Sequence, residues 1–134
     1  MTTGGEEMQL DLSGEKPIFM QFAEALENNI LKGIFKEETQ IPSTTEVAVT
    51  FKINPATANR GVNLLVDEGI IYKKRGVGMF VAPGAREKIA YKRKNAFYDG
   101  FIRPLLDEAE ALKIGKAAII DMIERGERNA YHRD

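Results

Sequence analysis

The residues with the most recognisable chemistry in this 134-residue sequence lie in two short stretches. The first, ATANRG, contains Thr57, Asn59 and Arg60, which combine a hydroxyl, an amide and a guanidinium within four residues. The second is the basic run KKRG at residues 73–76. Hydroxyl, amide and guanidinium groups can bind base edges, and clustered cations can bind phosphates. Both stretches therefore have groups suited to binding a polyanion, although a solvent-facing polar surface would contain the same residue types.

Groups that commonly carry catalysis or bind metals are scarce. The chain has no cysteine, and its single histidine, His132, lies near the C-terminal end, where a solvated side chain is the simplest interpretation. The RGVGMF stretch lacks the third glycine and the following helix of a dinucleotide-binding loop. The acidic run at residues 107–110 fits the solvent-facing side of a helix. The sequence predicts no enzyme, no metal site and no cofactor.

The net charge of -1 conceals an uneven distribution. Residues 52–103 hold 11 basic and 4 acidic residues, a local balance of +7, whereas the rest of the chain is acidic. Such a chain can bind a polyanion locally, although a solvated charged face would give the same count. The N-terminal stretch does not resemble a secretory signal, and no run approaches the roughly 18 apolar residues of a membrane helix. We expect a cytoplasmic protein that does not bind membranes.

Two helices precede the ATANRG stretch. After Pro17, apolar residues recur at spacings of three and four as far as Gly33, which predicts an amphipathic helix. Ser43 and Glu46 then stand three residues apart, as the partners of a capping box do, and predict a short second helix.

The third helix is predicted to begin at Asn54-Pro55. An asparagine can cap free N–H groups, and a proline suits the first helical position. The helix should end at Gly69, which places ATANRG in its first two turns. Two helices joined by a short turn, behind a longer helix, form a helix-turn-helix. The stretch IIYKKRGVGMFVA then predicts a β-hairpin with a basic tip, and this order of elements is that of a winged helix.

The C-terminal part predicts two further helices after a boundary at Pro83-Gly84. Residues 85–112 have helical periodicity despite Pro104, and Gly100 four residues earlier gives the backbone room, so we expect a kink rather than a break. A second, short helix should follow Gly115. Two such helices cannot enclose a core alone, so they either pack back on the winged helix or meet the same helices of a second chain. Their apolar content favours a twofold dimer. The apolar residues expected at its interface are Phe97, Phe101, Leu105, Ile119, Ile120 and Ile123.

The predicted fold is mainly α with a small β-hairpin: a winged helix-turn-helix followed by a two-helix dimerisation region. The division is a flexible N-terminus (1–14), a winged-helix domain (15–83), a dimerisation region (84–126) and a polar tail (127–134). A helix-turn-helix places its second helix in the major groove of double-stranded DNA. The candidate DNA-binding residues are Ser43, Thr44, Thr45, Thr57, Asn59, Arg60, Lys73, Lys74, Arg75 and Gly76.

The stretches KPIFMQFAEALENNILKGIF, IPSTTEVA, INPATANRGVNLLVDEGII and RGVGMFV resemble the N-terminal domain of the GntR family of bacterial transcription regulators. The Asn-Pro-x-Thr start of the third helix and the FYDGFIRPLLDEA stretch are similar to the short YtrA subfamily. That resemblance implies a two-helix dimerisation region and regulation of an operon that commonly encodes an ABC transporter. It also implies DNA contacts from Ser43, Thr57, Arg60, Arg75 and Gly76.

Two residues depart from the pattern that most family members share. Thr45 and Pro55 stand where many relatives have arginine, although the YtrA-like pattern also has the proline. Without these two cations, the electrostatic attraction to DNA depends more on the hairpin tip and Arg60.

Two interpretations of function follow. The first is a homodimeric DNA-binding regulator, a repressor that occupies an inverted-repeat operator. The alternative is a winged-helix module that binds an acidic protein partner without specific DNA binding. The aromatic and apolar residues Phe97, Tyr98, Phe101 and Ile102 could line a small effector pocket at a dimer interface, or they could form plain dimer core. The sequence identifies no effector.

Overall fold

The structure is a computed structural model that describes residues 15–132, with side chains described as far as residue 126. The predicted flexible segment 1–14 lies outside the described residues. The elements in chain order are α1 (Ile18–Leu31), β1 (Gln40–Ile41), α2 (Thr44–Phe51), α3 (Pro55–Asp67), β2 (Ile71–Lys74), β3 (Gly78–Val81), α4 (Ala85–Phe97), a π turn (Tyr98–Ile102), α5 (Arg103–Leu112) and α6 (Lys116–His132). The mainly helical fold with a small sheet confirms the predicted fold class.

Helices α1, α2 and α3 form the helical part of the core. Phe22, Leu26 and Ile30 recur every four residues on α1 and are buried, because residues four apart lie on the same face of a helix. Val62 and Leu65 provide the corresponding buried face of α3. Helices α1 and α2 both pack against α3, so its exposed face has a fixed direction relative to the core.

Helices α1 and α3 approach each other closely at Gly61. A Cβ atom at this position would lie 2.8 Å from the carbonyl oxygen of Phe19 and 2.8 Å from Cδ2 of Phe22. Any larger side chain would therefore push the two helices apart. Ala58, one turn earlier on α3, is fully buried. Small residues at both positions allow the tight helix crossing.

The sheet has three antiparallel strands in the order β1-β3-β2. Strands β2 and β3 form the predicted hairpin, with Tyr72 opposite Phe80 and Lys74 opposite Gly78. The third strand, β1, pairs Gln40 with Phe80 and was not predicted. A strand of two residues is too short to show the alternation that identifies strands in a sequence.

The start of α4 is fastened to the loop after α1. One carboxylate oxygen of Glu37 accepts the N–H of Gly84 at 2.9 Å, and the other accepts the N–H of Arg86 at 3.1 Å. These hydrogen bonds, first that from Gly84 and then that from Arg86, lower the pKa of the Glu37 carboxyl. Ala85 and Ile89 are fully buried, so the first turns of α4 also contribute to the core.

Lys92 attaches the next turn of α4 to α1 and to the end of α3. Its ammonium group donates to the buried carboxylate of Glu27 and to Glu68, the latter at 2.8 Å. Partial burial alone would lower the pKa of Lys92, but the hydrogen bonds to the two carboxylates outweigh it and raise the pKa. Lys88 also donates to the carbonyl of Gly69 at 3.3 Å. These contacts extend the first compact unit to Lys92, beyond the boundary at Pro83-Gly84.

The second compact unit begins at Arg93 and contains the π turn, α5 and α6. The chain stays helical through Pro104, as predicted, because the N–H of Arg103 reaches back to the carbonyl of Tyr98 and widens the helix by one residue. The second C-terminal helix was predicted to be short, but its backbone is helical as far as His132. An ion pair between Asp121 and Arg125 supports it. No helix among residues 15–132 is long and apolar enough to cross a membrane.

Candidate nucleic-acid interface

The N-terminus of α2 is built by the predicted capping box. The hydroxyl oxygen of Ser43 accepts the N–H of Glu46 at 3.1 Å, and the Glu46 carboxylate accepts the N–H of Ser43 at 2.8 Å. Because the hydroxyl acts here as an acceptor, its proton can still be donated to an external oxygen. A helix N-terminus also carries a partial positive charge. Exposed Ser43 can therefore cap α2 and bind a phosphate at the same time.

The two threonines that follow Ser43 have different surroundings. Thr44 is half-buried, and its hydroxyl makes a weak contact of 3.9 Å with the sulfur of Met79 on β3. This contact places the start of α2 beside the hairpin. Thr45 is exposed. Of the two hydroxyls, that of Thr45 is the more accessible to a ligand.

Helix α3 starts as predicted, with Asn54 as its N-cap and Pro55 at its first position. The side-chain oxygen of Asn54 accepts the N–H of Ala56 at 2.7 Å. Among the candidate residues on this helix, Asn59 and Arg60 are exposed and Thr57 is half-buried. The first two turns of α3 therefore present an amide and a guanidinium to solvent.

The guanidinium of Arg60 lies against α1. Its central carbon is 4.0 Å from the centroid of the Phe19 ring, which is the geometry of a cation–π contact. Within the described part of the chain, the Arg60 guanidinium has no hydrogen-bond acceptor. Its N–H donors therefore remain available for an external partner.

The hairpin joins α3 through Lys73 and Asn63. The ammonium group of Lys73 on β2 donates to the side-chain oxygen of Asn63 at 2.9 Å. Asn63 was not among the predicted site residues, although it follows Asn59 by four residues and so lies on the same face of α3. Helical spacing was the signal that could have found it. This hydrogen bond brings the hairpin beside the exposed face of α3.

Two aromatic rings support the hairpin below its tip. Tyr72 and Phe80 face each other across β2 and β3, with stacked rings whose centroids are 5.6 Å apart. The ammonium group of Lys74 lies 4.8 Å from the centroid of Phe80. The lysine stem can therefore pack along the sheet while its charge stays exposed.

The tip itself is a tight turn that contains Arg75 and Gly76. The N–H of Val77 donates to the carbonyl of Lys74 at 2.9 Å, and Gly76 has φ of 76°, a left-handed value that suits the third position of a type II turn. Gln40 on β1 donates its side-chain amide to the carbonyl of Val77 at 3.0 Å and braces the turn. Arg75 is exposed at the tip, and none of the described residues provides an acceptor for its guanidinium.

The structure thus brings three elements together: the start of α2 contacts β3, and β2 contacts α3. Ser43, Asn59 and Arg60 lie on the helices, and Lys73, Lys74, Arg75 and Gly76 lie on the hairpin. Among the described residues, no group of three or more histidine, cysteine or acidic residues could hold a metal ion. The exposed cations and hydrogen-bonding groups of the three elements suit the binding of an extended polyanion.

The predicted dimer residues all lie in the second unit, with Phe97 at the end of α4. Most are exposed, with Phe101 67% and Ile123 59% accessible, and Ile119 is half-buried. Helices α5 and α6 also enclose an apolar groove of about 330 Å³. Its lining residues are Leu105, Glu108, Ala109, Leu112, Ile114, Ile119, Met122 and Ile123.

The groove does not coincide with the effector pocket considered from the sequence. Of the residues named for that pocket, none lines the groove between α5 and α6. Phe97 and Phe101 instead contact each other, with ring centroids 5.4 Å apart. Tyr98 lies under the guanidinium of Arg103, at 5.4 Å.

The sequence of this chain matches a known family of proteins. Residues 20–81 match the family model described as bacterial regulatory proteins of the gntR family. The HTH-type transcriptional repressor YtrA of Bacillus subtilis is 33% identical over 79 residues, which cover 59% of this chain and 61% of that protein. The chain spans 29% and 33% of the length of two further curated repressors that it matches.

Solved structures extend the similarity beyond the winged helix. A GntR-family protein from Bacteroides thetaiotaomicron has 32% sequence identity and a TM-score of 0.70, covering 85% of this chain and 99% of that chain. The DNA-binding domain of AraR in complex with operator ORX1 has 25% identity and a TM-score of 0.52, covering 57% of this chain and 98% of that chain. These are regulatory proteins rather than enzymes. The chain belongs to the GntR family of bacterial regulatory proteins, in its YtrA-like branch.

Proposed function

We propose that this protein is a sequence-specific, DNA-binding transcription regulator whose α3 enters the major groove. The observation that carries the proposal is the Lys73–Asn63 hydrogen bond, which joins the basic hairpin to the exposed face of α3. Asn59 and Arg60 would contact base edges or phosphates from that face, with Thr57 beside them. Lys74 and Arg75 would bind the sugar–phosphate backbone or the minor groove.

The helix α2 adds a second contact to the same proposed surface. Ser43, with Thr45 beside it, would bind a phosphate at the positive end of the helix. Because Thr45 and Pro55 are uncharged, the hairpin and Arg60 would supply most of the attraction to DNA. Gly76 would let the hairpin backbone approach the duplex closely.

The protein would act as a homodimer formed through the second unit. The exposed apolar residues of that unit and the groove between α5 and α6 support this proposal, because an isolated chain would leave them in water. The dimerisation region would then lie within residues 84–126, and residues 15–83 would contain the DNA-binding residues. Each protomer would bind one half of an inverted repeat, with half-site centres about 34 Å or a multiple apart.

The protein would act in the cytoplasm, as a repressor that blocks transcription by occupying its operator. The Bacillus subtilis relative is named a transcriptional repressor, which supports repression rather than activation. The complex of the AraR DNA-binding domain with an operator supports operator DNA as the ligand. The resemblance to the YtrA subfamily supports transporter genes as targets. No cofactor is part of the proposal.

Selection of bound fragments from random DNA, followed by titration against salt, tests the proposal. Affinity for the selected DNA should fall steeply with salt, because phosphate contacts release counterions. Replacing Arg60 by Ala should weaken specific binding by about 1–3 kcal/mol. Arg86→Ala, another exposed arginine of the first unit, is the matched control and should leave specific binding unchanged.

The same experiment separates the alternative function. A winged helix that serves only as a protein-interaction module should give no gel shift with random duplex DNA at low salt. Binding that is insensitive to salt, or an Arg60→Ala protein with unchanged affinity for selected DNA, would also contradict DNA recognition by α3.

A further inference from the structure

We propose that Phe19, on α1, is a positioning residue for Arg60: its ring would hold the guanidinium in the direction in which α3 meets DNA. The proposal rests on the proposed function, and it adds a residue outside the helix-turn-helix and the hairpin to the recognition machinery. Phe19 would not touch the DNA itself. It would act through the side chain that does.

The first observation is the contact itself. The central guanidinium carbon of Arg60 lies 4.0 Å from the centroid of the Phe19 ring, although Arg60 is an exposed residue. Phe19 is half-buried, so the core holds its ring while one part of it remains at the surface. A long, exposed arginine is therefore kept on a fixed platform.

The second observation is that this contact engages no hydrogen-bond donor. The five N–H donors of a guanidinium lie in its plane, whereas a cation–π contact uses the positive charge above a ring. By comparison, Arg103 donates to Asp99 and Arg125 donates to Asp121, which engages donors and offsets charge. Arg60 is oriented without losing the groups that bidentate recognition of guanine or phosphate needs.

The third observation concerns the backbone beneath the pair. Gly61 follows Arg60 directly, and a Cβ atom at Gly61 would lie 2.8 Å from the carbonyl oxygen of Phe19. The main chains that carry the ring and the guanidinium therefore meet at a close crossing. Their relative positions are set by this packing, so the contact does not depend on two mobile side chains meeting by chance.

Prior ordering of Arg60 has a measurable consequence. An arginine that rotates freely must be immobilised when it binds DNA, and that loss of entropy opposes binding. A residue that is already held in the binding direction avoids most of this loss. From the usual entropy of one long side chain, removal of the ring should weaken specific binding roughly two- to tenfold.

The test is a double-mutant cycle in the full-length protein with DNA selected from a random pool. Phe19→Leu should weaken binding to the selected DNA roughly two- to tenfold, and Phe19→Tyr, which keeps a ring, should restore it. In an Arg60→Ala background, Phe19→Leu should have no further effect. Phe35→Leu, a partly buried phenylalanine elsewhere in the same unit, controls for loss of core packing and should leave the affinity unchanged.

Two results of the cycle would overturn the proposal. Unchanged affinity of Phe19→Leu would show that the ring does not assist Arg60. A loss of affinity that persists in the Arg60→Ala background would show that Phe19 acts through the fold and not through the guanidinium.

A second measurement needs no DNA and so separates this proposal from the proposed function. In the free protein, the Phe19 ring should shift the NMR resonances of the Arg60 side chain upfield. Phe19→Leu should abolish that shift, and Phe19→Tyr should keep it. If the wild-type protein showed the shift but bound no DNA, the proposed function would fail while the contact stood. Absence of the shift in the wild type would overturn the positioning role directly.

Discussion

The two compact units use similar apolar residues in different ways. The first unit encloses Phe22, Leu26 and Ile30 so fully that at most 2% of each remains accessible. In the second unit, Ala109 is the only buried hydrophobic residue among those described, and Phe101 is 67% accessible. The first unit therefore has a core of its own. The second leaves most of its large apolar residues exposed.

This difference shows why a hydrophobic pattern alone does not distinguish a core from an interface. The periodicity of α1 and that of α5 both predict one apolar face. Only the elements that cover a face decide whether its residues stabilise the folded chain or an association between chains. The following substitutions test that distinction, from the largest expected effect to the smallest.

Replacing Phe22 by Ala should lower the free energy of unfolding by about 3–5 kcal/mol, because it leaves a cavity between α1 and α3. Urea unfolding of the full-length protein at fixed concentration measures the change. Val49→Ala, on the exposed side of α2, is the control and should change the free energy by no more than about 0.5 kcal/mol. Equal effects of the two substitutions would contradict a closed core in the first unit.

Replacing Ile123 by Glu should weaken the proposed dimer by about 2–4 kcal/mol, because association would bury an unpaired charge. Sedimentation equilibrium over a range of concentrations measures the dissociation constant. Glu124→Gln, its exposed neighbour on α6, should leave association unchanged. A dimer of undiminished affinity in the Ile123→Glu protein would mean that this face of α6 lies outside the interface.

Replacing Asn29 by Leu should raise the free energy of unfolding by about 1–3 kcal/mol. The Asn29 side chain is fully buried, and neither its amide nitrogen nor its amide oxygen has a hydrogen-bond partner among the described residues. Thermal and urea unfolding measure the gain, which Asn28→Leu, at a half-buried position, should not produce. A destabilised Asn29→Leu protein would indicate that a bound water satisfies the amide.

Acidification should loosen the start of α4 through Glu37. The N–H groups of Gly84 and Arg86 lower the pKa of this carboxyl in the folded state. Its contribution to stability is therefore present above the ordinary glutamate pKa and is lost as the pH falls through the lowered folded value. The amide resonances of Gly84 and Arg86 should report that loss, and Glu37→Gln should remove their pH dependence. Persistence of the titration in Glu37→Gln would assign it to another group.

Features that depend on neighbouring residues were predictable. The capping box at Ser43, the N-cap at Asn54 and the helix that continues through Pro104 were all expected, because each involves groups within a few positions of one another. The candidate residues on α3 followed from the same short-range spacing. The exposure of Asn59 and Arg60, and the burial of Ala58 before them, agree with the helical period.

Features that join distant parts of the chain were not predictable. Strand β1 has only two residues, and its Gln40 reaches a carbonyl 37 residues away. Helical spacing could have placed Asn63 on the face of Asn59, but its hydrogen bond to Lys73, on another element, left no local signal. Phe19 looked like any apolar residue of an amphipathic helix. Nothing in the local sequence indicates that its ring lies under Arg60.

The sequence by itself determined the order of the helices and the β-hairpin, the family, and the stretches that carry exposed hydrogen-bonding and charged groups. These depend on backbone propensity, capping and periodicity, which act over a few residues. Only the tertiary structure decided which of those groups are held in place, and which residues from distant parts of the chain hold them. It places Phe19 under Arg60, Asn63 beside Lys73, and Glu37 at the start of α4. Such contacts arise only when helix packing and strand pairing bring distant residues within the few ångströms over which these forces act.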